Sequence, residues 1–178
     1  MSMKIGLFYG STTGNTEAAA ELIQQKLSMH EVELHDISDA SVEDFSRYEF
    51  LILGISTWEY GGLQDDWQAF WEQLDKVDME GKIVAVFGQG DQVGYDEWFQ
   101  DGIGILHDKV VERGAVAIGY CPNKNYNFVA SLALNENKTE FLGLALDDDN
   151  QPELTEERVD NWCVELNVMF TDIAVAMA

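Results

Sequence analysis

Apolar runs and apolar stripes alternate along the chain from end to end. KIGLFYG (Lys4–Gly10), FLILGIS (Phe50–Ser56) and KIVAVFG (Lys82–Gly88) are short and almost continuously apolar, as strands buried on both faces are. VELHDI (Val32–Ile37) is a weaker, peripheral strand pattern. AVAIGY (Ala115–Tyr120) and FLGLAL (Phe141–Leu146) are strand-like too, and the polar stretch Cys121–Glu140 separates them. Between the runs, apolar residues recur at helical spacing. Ala19, Leu22, Ile23 and Leu27 stripe one helix. Trp67, Phe70, Trp71 and Leu74 stripe a second, read as an aromatic core row. Phe99, Ile103, Leu106 and Val110 stripe a third, and Val159, Trp162, Cys163, Leu166, Phe170 and Ile173 a long last one. SVEDF (Ser41–Phe45) predicts a short helical turn with Ser41 as its cap, and Thr155 is the expected cap of the last helix. Such alternation calls for a parallel sheet with helices on both faces. No repeat or linker interrupts it, so residues 1–178 are expected to form a single domain. A structureless stretch as long as Cys121–Glu140 is rare in a compact domain and is often functional.

Composition narrows the function. The chain has 178 residues, 46% of them hydrophobic, which suits one α/β domain with a proper core. Asp and Glu number 33 against 10 Lys and Arg, a formal net charge of -23. That surface repels nucleic acid and anionic lipid, and it would attract a basic protein. Cys121 and Cys163 have no C-x-x-C spacing and read as small core residues. His30, His35 and His107 form no ligand pattern, so no metal site is expected. There is no signal-peptide pattern and no membrane-length apolar run, so a reduced, cytoplasmic protein is the expectation.

In doubly wound sheets, ligands bind beyond the carboxyl ends of the strands. Three loops there are unusual. Ser11–Thr16 offers hydroxyls at Ser11, Thr12, Thr13 and Thr16, and Gly14 permits close backbone approach. The helix that follows would point its amides at an anion. The loop has no Lys or Arg and is neither G-x-x-x-x-G-K-[ST] nor G-x-G-x-x-G, which disfavours a triphosphate or a dinucleotide. One phosphomonoester held by neutral donors fits better. An ordinary hydroxyl-rich turn capping a helix fits the loop equally well. STWEYGG (Ser56–Gly62) and GQGDQVGYDEWF (Gly88–Phe99) supply Trp58 and Tyr95, which could face each other across a planar ring. Together the loops suggest a ring carrying a single phosphate, the shape of flavin mononucleotide (FMN).

GSTTGNT (Gly10–Thr16), STWEYGGLQDDW (Ser56–Trp67), GQGDQVGY (Gly88–Tyr95) and FLGLALDDDNQPELTEERVDNW (Phe141–Trp162) lie in order and span nearly the whole chain. With these pieces the sequence resembles a flavodoxin of the long-chain type. The resemblance implies a three-layer α/β sandwich around a five-stranded parallel sheet of order 2-1-3-4-5, its fifth strand interrupted by the polar insert. It implies a one-electron carrier of low potential, without substrate turnover. The carrier holds FMN non-covalently and shuttles between semiquinone and hydroquinone. It also implies that Ser11, Thr12, Thr13, Gly14, Asn15 and Thr16 wrap the phosphate. Thr57, Trp58, Glu59, Tyr60, Gly61, Gly88, Gln89, Gly90, Asp91 and Tyr95 would enclose the ring, with Asp147 near the same edge. The Glu59–Tyr60 peptide corresponds to the one the family flips on reduction. Expected partners are basic redox proteins, such as a flavodoxin reductase, and acceptor enzymes, met by a monomer. An acidic ring of Glu59, Asp65, Asp66, Asp91, Asp96, Glu97 and Asp147 would meet them. The insert is associated with partner contact. Members usually carry a Gly before its Tyr, where this chain has Asn125; Asn tolerates a left-handed backbone better than most residues. An FMN-dependent NAD(P)H:quinone reductase is the alternative on this fold. It needs a nicotinamide site, and no basic dinucleotide pocket is evident. A module that has lost its flavin would not need the phosphate loop and both aromatics.

Overall fold

The computed structural model describes residues 1–178. Its strands are β1 (Lys4–Tyr9), β2 (Glu31–Asp36), β3 (Phe50–Trp58), β4 (Gly62–Leu63), β5 (Ile83–Gln89), β6 (Val116–Ile118), β7 (Cys121–Pro122), β8 (Glu140–Phe141) and β9 (Leu144–Leu146). The helices are α1 (Asn15–Lys26), α2 (Val42–Ser46), α3 (Asp65–Leu74), α4 (Asp101–Glu112) and α5 (Thr155–Met177).

The parallel sheet runs β2-β1-β3-β5-β6. β6 pairs with Ile83–Ala85 at the start of β5, and β9 pairs with Phe87–Gln89 at its end. The two are halves of one strand split by the insert. Counted so, and with the short hairpin strand β4 set aside, the order is 2-1-3-4-5. Burial explains the pattern: Leu51, Ile52, Leu53 and Ile55 are fully buried in β3, as a central strand covered on both sides must be. α1 and α5 pack together on one face. On the other, stacked Phe8, Phe45 and Phe70 join β1 to α2 and α3.

Most residues of the helix stripes are buried, although Leu22 is only partly so and Phe99 lies just before α4. Trp67, Phe70 and Leu74 are buried, whereas Trp71 is only partly covered and lies under the Lys109 ammonium at 5.2 Å. Ile173 is likewise only partly buried. Ser41 caps α2, its amide donating to the Asp44 carboxylate at 2.8 Å. Thr155 does not cap α5. A 3-10 turn, Pro152–Leu154, precedes it, and the Thr155 hydroxyl donates to Asp148 instead. Both cysteines are buried and free, and burial pushes their thiols up, Cys121 to about 11 and Cys163 to about 12. Asn125 takes the left-handed backbone, with φ 65°, and the side chains of Gln151 and Arg158 donate to its carbonyl. This pins the insert to α5.

Candidate functional site

The carboxyl ends of β1, β3 and β5 open on one cleft of about 290 Å³. Thr13, Asn15 and Thr16 form its first wall, Thr57, Trp58 and Glu59 its second, and Gln89, Gly90, Asp91 and Tyr95 its third.

The first wall is built to donate. Asn15 and Thr16 open α1, so no helical carbonyl precedes their amides. Within the chain, no hydrogen bond engages the amides of Thr12, Thr13, Asn15 or Thr16. Ser11 is turned back on its own loop, its hydroxyl oxygen accepting from the Gly14 amide at 3.1 Å and the Glu17 amide at 3.3 Å. That contact fixes the loop's curvature. Gly14 has φ 94°, which a side chain would strain. Thr12 points away from the cleft, onto Gln64. Unpaired amides at a helix start, with the Thr13 and Thr16 hydroxyls beside them, suit an anion without any cation.

The second wall carries Trp58, whose indole N–H donates to the Ser56 hydroxyl at 3.0 Å. Thr57 accepts from the Gly102 amide at 2.9 Å, which ties the loop to the start of α4. Glu59 has φ 46°, an uncommon conformation for a residue with a side chain. Tyr60 stands outside the cleft, edge-on to Tyr95 and Trp98, and is one of the most exposed aromatics. Gly61 does not line the cleft. It has φ 83°, and an added Cβ would lie 2.9 Å from the Asp101 carboxylate and 3.1 Å from Trp98. Gly61→Ala should therefore cost roughly 1–3 kcal/mol in urea unfolding, through strain and collision together.

The third wall is shaped by Asp91, which accepts from the Val93 amide at 3.0 Å, the Gly94 amide at 2.6 Å and Asn150 at 2.8 Å. Burial works against the charge, but these donors hold its carboxyl below the ordinary value. Gln89 makes a reciprocal pair with Asp148. Gly88 is buried in the sheet under Gln100 and Ile103, away from the ligand space.

Asp147 corrects the expectation of an edge carboxylate. It is fully buried and accepts from the amide and side chain of Gln92 and from Asn150. It anchors the third wall from beneath, and so it leaves the acidic ring. The neighbour at the cleft is Asp149. Burial, and then the charges of Asp91, Asp147 and Asp148, push the Asp149 carboxyl upward. A raised folded-state pKa means that this group costs stability above its titration range. Asp149→Asn should therefore raise the urea midpoint of the ligand-free protein at neutral pH, and the gain should fade as pH falls through that range.

Ser56 and Asp149 are thus the cleft residues that sequence reasoning missed. Ser56 could have been found, since it begins the loop that carries Trp58. Asp149 had no signal of its own among three consecutive aspartates.

The family model described as Flavodoxin matches residues 7–162. A flavodoxin of Nostoc sp. is 49% identical over 170 residues, covering 96% of this chain and 99% of the relative. One from Synechocystis sp. is 52% identical over 164 residues, covering 92% and 95%. Among solved structures, Fusobacterium nucleatum flavodoxin bound to flavin mononucleotide superposes with TM-score 0.87 at 29% identity, covering 94% of this chain and 98% of that one. The family match and both relatives extend over nearly the whole length: the chain belongs to the flavodoxin family.

Proposed function

We propose that residues 1–178 act as a single-domain, monomeric carrier that holds FMN in the strand-end cleft and passes single electrons at low potential between redox proteins. The observation that carries this reading is the donor wall. Four unpaired amides and two hydroxyls lie together at the start of α1, beside the cleft that holds Trp58 and Tyr95, its two exposed aromatics. Bound there, the flavin supplies the one-electron chemistry. The chain's own residues supply position and environment.

The amides of Thr12, Thr13, Asn15 and Thr16, with the Thr13 and Thr16 hydroxyls, would hold the phosphate. Trp58 and Tyr95 would cover the two ring faces, each stack contributing on the order of 1 kcal/mol beyond buried area. The left-handed backbone at Glu59 lies next to the peptide whose carbonyl would turn toward a protonated ring nitrogen. Gly61 and Gly62 follow it and leave room for that turn. Glu59, Asp65 and Glu97 are exposed on the strand-end loops and would meet a basic reductase or acceptor in the cytoplasm. The chain is an electron-transfer protein rather than a substrate-turnover enzyme. Titration of the ligand-free protein with FMN and with riboflavin tests the placement. FMN should bind far more tightly, and equal affinity would contradict a phosphate held at this loop.

A further inference from the structure

Gln64 lies between β4 and α3 and is 1% exposed. Its side-chain oxygen accepts from the amides of Asp66 at 3.1 Å and Trp67 at 3.2 Å. Two backbone donors on that side fix which way the amide faces, so its NH₂ points the other way. The NH₂ donates to the Asp66 carboxylate at 2.8 Å and to the Thr12 hydroxyl at 3.1 Å. The Gln64 main-chain N–H meets the Ser56 carbonyl at 3.2 Å and so closes the hairpin that carries Trp58. Every donor and acceptor of the side-chain amide is used. The fit is tight as well: a Cβ on Gly10 would come within 2.2 Å of the Gln64 oxygen.

Capping α3 requires only the two bonds to the oxygen. The bond to Thr12 does something else: it ties the donor loop to the ring-bearing hairpin across 52 residues of sequence. We propose that Gln64 is a positioning residue. Through Thr12 it holds the amides of Thr12, Thr13, Asn15 and Thr16 in phosphate-binding register, and so sets the preference for a phosphorylated flavin. This rests on the FMN reading above. A loop released from Gln64 must be ordered by the ligand, and only a ligand with a phosphate bears that cost.

The test measures FMN and riboflavin affinities for four variants: Thr12→Val, Thr12→Ser, Gln64→Met and the Thr12→Val/Gln64→Met double. Thr12→Val removes the acceptor at similar volume and leaves the cap of α3 intact. It should lower the FMN-to-riboflavin affinity ratio about two- to tenfold, as one neutral hydrogen bond allows. Thr12→Ser restores the hydroxyl and should restore the ratio. Adding Gln64→Met to Thr12→Val should lower the ratio no further, even if the lost cap reduces stability. A Thr12→Val protein in which both flavins weaken equally, or neither changes, would overturn the assignment. So would a double variant whose ratio falls by the product of the two single effects. Equal affinity of the unsubstituted protein for the two flavins would overturn the phosphate reading itself, a distinguishable result.

Discussion

Thr13→Ala and Thr16→Ala should each weaken FMN binding about ten- to a hundredfold, because a hydrogen bond to a charged group contributes about 1.5–3 kcal/mol. No Lys or Arg occurs between Tyr9 and Ile23, so no cation there compensates when a hydroxyl is lost. The two sites differ as tests. Thr13 is exposed and supports little of the core, so its loss reports on the ligand. Thr16 is 1% exposed at the first turn of α1, so its variant needs an unfolding curve beside the binding curve. Riboflavin affinity should change little in either. Quenching of flavin fluorescence on titration measures all four constants. Unchanged FMN affinity in both variants would remove these hydroxyls from the site.

Electron transfer with a basic partner should slow by tenfold or more as ionic strength rises from about 0.01 M to 1 M, where the screening length falls from about 30 Å to about 3 Å. The chain carries a net charge of -23, and part of it lies on the strand-end loops. Glu59, Asp65 and Glu97 are exposed there. Asp66 is a poor choice for neutralisation, since its carboxylate accepts from Gln64 and its loss would disturb that network. Lys76 and Lys82 lie elsewhere: Lys82 donates to the carbonyls of Phe45 and Tyr48 at the far end of the sheet. Replacing Glu59, Asp65 and Glu97 together by Gln, Asn and Gln should flatten the salt dependence measured by stopped flow. A triple variant with the original dependence would assign the acidity to solubility and place docking on another face.

The fold was legible where burial dictates pattern. β3 and β5 are covered on both faces, so their runs are apolar throughout. The pattern showed two apolar runs with a largely polar stretch of twenty residues between them, and the resemblance implied that they are one split strand; both pair with β5. Asn125 adopted the backbone its residue type favours. What remained hidden depends on distant partners. Asp147 and Asp149 are chemically identical in sequence; Gln92 and Asn150 decide which one is buried. Thr155 looks like a cap because Ser and Thr usually are, and Asp148, seven residues earlier, takes its hydroxyl. Gln64 looks like an ordinary polar residue before a helix. Its burial follows from a glycine 54 positions earlier that leaves the amide room.

Stepwise anaerobic reduction of the FMN-loaded protein, followed by absorbance, tests the carrier reading most directly. Two separate one-electron steps are expected, with a blue, one-electron-reduced flavin accumulating between them and NADPH alone giving no rapid reduction. Direct two-electron bleaching by NADPH, with no intermediate, would contradict it.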